Sequence, residues 1–226
     1  MWFDSSRGIK STTGSDSPFL VTNSTSGDQT NANGLQAIGT DSFTPGSMTR
    51  TNETGDNYVA WQWKANGGTT ASNTDGDINS TVQVNQDAGF SIVTYTGNGS
   101  TSDQTIGHGL GVRANAVIVK NRDAAVNWVL WTEGVAANHC MELNTTDTES
   151  DSTQGRVLSN AGSRGTSTIF SIRSGSGSVI QTNTSGEDYV AYCFAEKQGY
   201  SKFGKYVGDE ELNGPFVYTG FKPAFI

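Results

Sequence analysis

The stretch Asn183–Glu196 reads NTSGEDYVAYCFAE, and an earlier stretch, Asn52–Lys64, reads NETGDNYVAWQWK. Their tyrosines stand 131 positions apart (189 − 58), each after a Gly-acid turn and before Val-Ala and a run of bulky residues. Successive side chains of an extended strand point to opposite faces. Val190, Tyr192 and Phe194 therefore share one face, as do Val59, Trp61 and Trp63 in the earlier copy. Large apolar residues kept on one face in both copies predict a core strand in each. The change from Trp-Gln-Trp to Tyr-Cys-Phe then reads as repacking of one layer, with Tyr58 and Tyr189 facing a tightly packed partner layer.

Other echoes follow. FSIVTYTG (Phe90–Gly97) is matched by PFVYTG (Pro215–Gly220), Tyr95 and Tyr218 being 123 positions apart (218 − 95). VLWTEG (Val129–Gly134) is weakly matched by MWFDSSRG at the start, and LNTTDTESDS (Leu143–Ser152) by LVTNSTSGDQ (Leu20–Gln29). Their order predicts a first part-unit over 1–87 that lacks its first two strands and a complete unit over 88–208. Residues 209–226 are then strands that start a third unit or complete the first. A sandwich short of two strands exposes unpaired edges. Completion from the same chain or by strand addition from a neighbour is expected, unless the chain is a window from a longer array.

Short β-branched and aromatic runs bounded by Gly and Asn turns recur along the chain, among them Ser17–Asn23, Asn57–Lys64, Gly89–Gly97, Asn115–Asn121, Asn127–Gly134, His139–Thr145, Ser167–Arg173, Glu187–Glu196, Phe203–Gly208 and Pro215–Phe221. None carries an apolar repeat at helical spacing. The expected fold is all-β, built of tandem β-sandwich units of jelly-roll or lectin-like type, two related copies, one assembled from N- and C-terminal part-units. Only 34% of the 226 residues are hydrophobic and 16% charged, but aromatics reach 10% and sit inside the strand-like runs, which argues for order rather than a flexible polar chain.

The net charge of −8, with Lys and Arg scattered, excludes the basic face that nucleic acid or an anionic membrane surface requires. No apolar run approaches the length of a membrane span, and the N-terminus lacks a secretory pattern. Two cysteines, Cys140 and Cys193, make no disulfide framework; buried thiols are the simpler expectation and a bridge the alternative.

The ordered motifs SGEDYVAYCFAEKQGYSKFGKYVG, FSIVTYTGNGS…IGHGLGVRANAVIVKNRD…NWVLW and GPFVYTGFKPAFI resemble a repeat domain of marine bacteriophage proteins, notably of phages infecting cyanobacteria and SAR11-type bacteria. The resemblance spans nearly the whole chain. It implies a fibre-like or lectin-like virion component at the particle surface, and it brings no catalytic residues with it.

The residues themselves offer little enzyme chemistry. His108 lies in a Gly-rich turn. His139 and Cys140 are adjacent in a strand, so they point to opposite faces and chelate poorly. No nucleophile motif is present, and the acids fall in turns: Asp147, Glu149 and Asp151, then Asp209, Glu210 and Glu211. The candidate metal site is NTDGDIN (Asn73–Asn79), where Asp75, Asp77 and Asn79 alternate around Gly76 as weak calcium ligands, without the later Glu of an EF-hand. A sugar site, if one exists, falls in Asn98–Asp103 or Ser159–Thr166. The expectation is a non-enzymatic virion structural or adhesion protein: tail fibre, tail appendage or capsid decoration. Its partners are other virion proteins, copies of itself and host-surface glycan, with no nucleic acid and no membrane insertion. The alternatives are a polysaccharide depolymerase on a β-scaffold and a purely architectural spacer.

Overall fold

The computed structural model describes residues 1–9, 16–136, 139–151, 165–172 and 181–226. The fold is all-β. Its strands are β1 (Ser17–Phe19), β2 (Gln29–Asn31), β3 (Leu35–Ile38), β4 (Phe43–Pro45), β5 (Ala71–Asn73), β6 (Ser80–Asn85), β7 (Phe90–Thr96), β8 (Gln104–Gly107), β9 (Ala116–Asn121), β10 (Val129–Thr132), β11 (His139–Glu142), β12 (Ser150–Asp151), β13 (Ile169–Ile172) and β14 (Asp188–Phe194). Among the described residues the one α-helix, α1, has four residues and spans Thr49–Asn52.

Eight strands form the main sheet in the order β12-β11-β10-β9-β14-β7-β6-β5. The motif that opened the sequence reading sits at its centre. β14 pairs antiparallel with β7 (Tyr189 opposite Tyr95) and with β9 (Tyr189 opposite Asn121). Both edges of β14 are thus satisfied, which its buried backbone polar groups require.

Both faces of the sheet are covered. On one, Tyr189, Ala191 and Cys193 join Val93, Tyr95, Val117 and Trp131 beneath Ile106, Phe170 and Ile172. Those last three come from the separate β8–β13 ladder, which forms a second layer. On the other face Val190 and Tyr192 pack with Phe90, Ile92, Trp128 and Leu20. Trp2 caps this cluster, its ring centroid 4.5 Å from Tyr192 and 5.6 Å from Trp128. At roughly 25 cal/mol per Å2 of apolar surface, large buried side chains such as Trp128 and Tyr192 contribute strongly to stability.

The two copies of the motif fold differently. Asn57–Lys64 forms no strand, and Val59, Trp61 and Trp63 are exposed by 74%, 61% and 45%. Phe203–Gly208 and Pro215–Phe221 form no strand either, with Tyr206, Phe216 and Tyr218 exposed. This corrects the expectation of strands in all three segments. Alternation alone does not make a strand; hydrogen-bonding neighbours do, and β14 has two while the earlier copy has none. A division at residue 88 also cuts a continuous sheet, because β5 and β6 precede it and β6 pairs with β7 over six positions. The N-terminal segment covers one face through Trp2 and Leu20, which exchange backbone hydrogen bonds of 2.8 and 3.0 Å and lie on the main sheet.

Candidate functional site

Two regions stand out, a polar latch holding the N-terminal cover and a set of exposed aromatic segments. In the latch, Asp4 caps a 3-10 turn (Ser5–Arg7) by accepting from the Arg7 backbone N–H at 3.0 Å. The Tyr192 hydroxyl donates to Asp4 Oδ2 at 2.6 Å. Asp28 joins Arg7 (2.7 Å) and Arg122 (2.9 Å). Burial opposes the Arg7 charge, but Tyr192, Asp4 and Asp28 outweigh it and raise its pKa. Burial and Asp4 hold the Tyr192 hydroxyl protonated.

Lys120, fully buried in β9, donates to the carbonyls of Thr25 (3.0 Å), Asn121 (2.8 Å) and Ala124 (3.4 Å). Burial lowers its pKa to about 8, against the opposing pull of Asp28. Gly27 presses on the Arg122 carbonyl where a Cβ would collide. Alternation patterns carry no sign of this latch. Only the Lys in an otherwise apolar VIVKN strand hinted at it.

Sequence-selected residues fall mostly into structural roles. Asp75 and Asn73 bond to each other, the Asp75 N–H donating to Asn73 Oδ1 at 3.0 Å. Asp77 Oδ2 accepts from the Thr105 N–H (3.0 Å) and hydroxyl (2.8 Å), and the Asp77 N–H donates to Thr105 Oγ1 at 2.9 Å. Asn79 is exposed. The loop thus clamps β5 to β8, with Gly76 against the Thr105 carbonyl, and Asp77 turns its oxygen to Thr105 rather than toward a shared centre. Among the described residues no cluster of three or more His, Cys, Asp or Glu could hold a metal ion.

His108 is buried, and its Nδ1 accepts from the Leu110 N–H at 3.1 Å. Its Nε2 faces the Thr166 carbonyl at 3.3 Å. The acceptor role of Nδ1 places the proton on Nε2. Burial lowers this histidine's pKa. His139 is half-buried in β11 beside the buried Cys140. Neither Cys140 nor Cys193 is in a disulfide, and burial pushes the Cys193 thiol up to about 12. That leaves it a packing residue rather than a nucleophile.

In the Asn98–Asp103 loop, Asn98 and Asn183 pair reciprocally through N–H···Oδ1 (2.9 Å) and Nδ2–H···Oδ1 (3.0 Å). Most of the other suggested loop, residues 159–164, lies outside the described residues.

The exposed aromatic surface is the second region. Trp63 packs by its ring against Phe90 and Phe194 at the end of the sheet, at 6.4 and 5.9 Å. Phe203 meets the same Phe194 ring at 6.2 Å, and Phe225 lies 5.7 Å from Trp61. Beyond these contacts Tyr58, Val59, Tyr206, Val207, Phe216 and Tyr218 face solvent. Exposed apolar patches on this scale mark association surfaces.

A family model matches residues 3–226 of the chain. The chain belongs to the DUF7483 family, a domain of unknown function. The DUF7483 match takes in the N-terminal cover, the sheet and the exposed tail alike. Among curated proteins and among solved structures, none matches the chain. No helix among the described residues is long and apolar enough to cross a membrane.

Proposed function

We propose that this DUF7483 chain is a non-enzymatic structural and adhesive component of a bacteriophage virion, a tail fibre, tail appendage or capsid decoration. It presents β-sandwich units to other virion proteins, to copies of itself and to host-surface glycan. The observation that carries the reading is the exposure of Tyr58, Val59, Trp61 and Tyr206 on segments anchored to a rigid frame. Side chains of this type gain more from burial against a protein surface than from water. The motif order shared with marine phage repeat proteins supplies the context. Weak individual contacts then gain strength from copy number.

The test is peptide mass spectrometry of purified particles from a phage encoding the chain, with a glycan array run on the isolated protein. Peptides from the chain at stoichiometric abundance support the reading, and their absence from washed particles overturns it. Loss of polysaccharide viscosity on incubation with the protein would instead select the depolymerase alternative.

A further inference from the structure

The tail repeats an earlier part of the chain at a constant spacing of 111 positions. Tyr206 corresponds to Tyr95, Gly208 to Gly97 and Gly220 to Gly109 (206 − 95, 208 − 97, 220 − 109). The backbone follows. Gly99 has φ 67° and its counterpart Glu210 has φ 59°, and Glu210 is the one non-glycine residue with positive φ among those described. Gly109 and Gly220 have φ 71° and 80°. The Ser100 N–H donates to Asn98 Oδ1 at 2.9 Å, and the Glu211 N–H to Asp209 Oδ1 at 3.1 Å. Phe203–Phe221 therefore carries the end of a β7 counterpart, its turn and a β8 counterpart, a closer correspondence than that of Tyr218 with Tyr95.

The earlier motif is pre-shaped in the same way. Gly55 and Gly186 have φ 92° and 80°. Tyr58 Oη accepts from the Glu53 N–H at 2.8 Å, as Tyr189 Oη accepts from the Thr184 N–H at 2.9 Å. Tyr58–Trp63 is thus a β14 counterpart without its β7. The β7 counterpart lies in the tail, without its β14.

We propose that Asn57–Trp61 of one chain pairs antiparallel with Phe203–Val207 of a second copy, Tyr58 opposite Tyr206, as Tyr189 lies opposite Tyr95. The partner chemistry is retained. Tyr95 and Tyr189 stack at 5.0 Å and 11°, and both counterparts are tyrosine. Tyr95 donates to the Thr182 carbonyl, for which Tyr206 finds that of Thr51. The Asn98–Asn183 exchange becomes Asp209 with Asn52, where the Asn52 amide donates to a carboxylate.

Charge agrees as well. Arg50, exposed and without an ion pair among the described residues, stands beside Asn52 to meet Asp209, Glu210 and Glu211. Within one chain the stem of the tail shares the Phe194 ring with Trp63, and Phe225 reaches Trp61, but its backbone does not take the paired register. The Phe203 N–H donates to Glu196 Oε1 at 3.0 Å, and the Lys205 side chain lies over Gly134. The second copy is therefore the occupant. Strand addition of this kind satisfies backbone groups on both partners.

This inference rests on the assembly proposed above and gives it a register. Its test mixes two variants, Val59→Cys and Lys205→Cys, both at exposed sites, under mild oxidation, with circular dichroism confirming that each folds. Val59 and Lys205 correspond to Val190 and Thr94, which are directly opposite. The native thiols are buried. A disulfide-linked heterodimer in the mixture, at least about tenfold above a Val59→Cys with Lys202→Cys control, is expected. A linked monomer from the double variant, with no heterodimer in the mixture, overturns the second copy in favour of closure within one chain. Multimers by light scattering without this cross-link overturn the register and leave assembly standing. A strict monomer at all concentrations overturns both.

Discussion

Tyr58 and Tyr189 make the same hydrogen bond 131 positions apart (189 − 58), each hydroxyl oxygen accepting from the N–H five residues earlier, at 2.8 and 2.9 Å. One tyrosine is 47% exposed and the other fully buried. The local sequence builds the turn and the clasp in both places. Neighbouring strands decide whether the residues that follow become core.

That difference sets the first expectation. Tyr189→Phe strips the Thr184 N–H of its acceptor and ends the 3.0 Å bond with the Asn121 amide, in a buried setting. It should cost about 1–3 kcal/mol in urea unfolding. Tyr58→Phe in the dilute chain should cost under about 0.5 kcal/mol, since its setting is solvated.

Lys120→Met should loosen the N-terminal cover. The substitution keeps bulk but leaves the carbonyls of Thr25, Asn121 and Ala124 without their donor. The expected loss is about 1–3 kcal/mol. Hydrogen exchange should show the change at residues 2–9 and 16–28 before it shows in β7 or β14.

The pH dependence follows from His108. Burial lowers its pKa in the folded chain below the ordinary 6.5. Between those two values the unfolded chain binds more protons, so stability is lost as pH falls below about 6.5. The melting temperature of the native chain should therefore drop more between pH 7 and pH 5 than that of His108→Gln, compared by calorimetry.

Calcium should leave the protein unchanged. The Asp77 carboxylate accepts from Thr105, and the Asp75 carboxylate from the Asn73 amide at 3.1 Å. Millimolar calcium set against chelator should shift the melting temperature by less than about 1 °C, because a ligand that binds neither state adds no stability. Asp77→Ala should destabilise by about 1 kcal/mol through loss of the clamp on β8.

Much of the sheet was legible in the sequence. β7, β9, β10, β13 and β14 fall inside runs whose Val, Ile, Phe and Tyr content marks buried strands, and β11 inside the His139–Thr145 run. β2, β5, β6 and β8 did not show, because Gln, Thr, Ser and Asn make up half or more of each, and β3 because its Leu-Gln-Ala-Ile run is so short. The opposite error at Asn57–Lys64 has the same root. Trp61 and Trp63 carry the pattern of a core strand, but pattern records the preference for burial and not the presence of a partner. The 111-position echo was hidden for a related reason. Only Tyr, Gly and a few other positions survive it, and the matching φ angles at Gly99 and Glu210 were needed to align them. The latch of Asp4, Arg7, Asp28, Lys120, Arg122 and Tyr192 brings together residues up to 188 positions apart (192 − 4), which no local spacing can report.

The claim that the exposed motif segments are assembly surfaces is tested most directly by hydrogen–deuterium exchange at increasing protein concentration. Amides of Asn57–Trp61 and Phe203–Val207 should exchange freely in the dilute chain and slow by at least about tenfold together as it associates, while β14 stays protected throughout. If both segments exchange freely at every concentration, including those at which light scattering reports multimers, the account is contradicted.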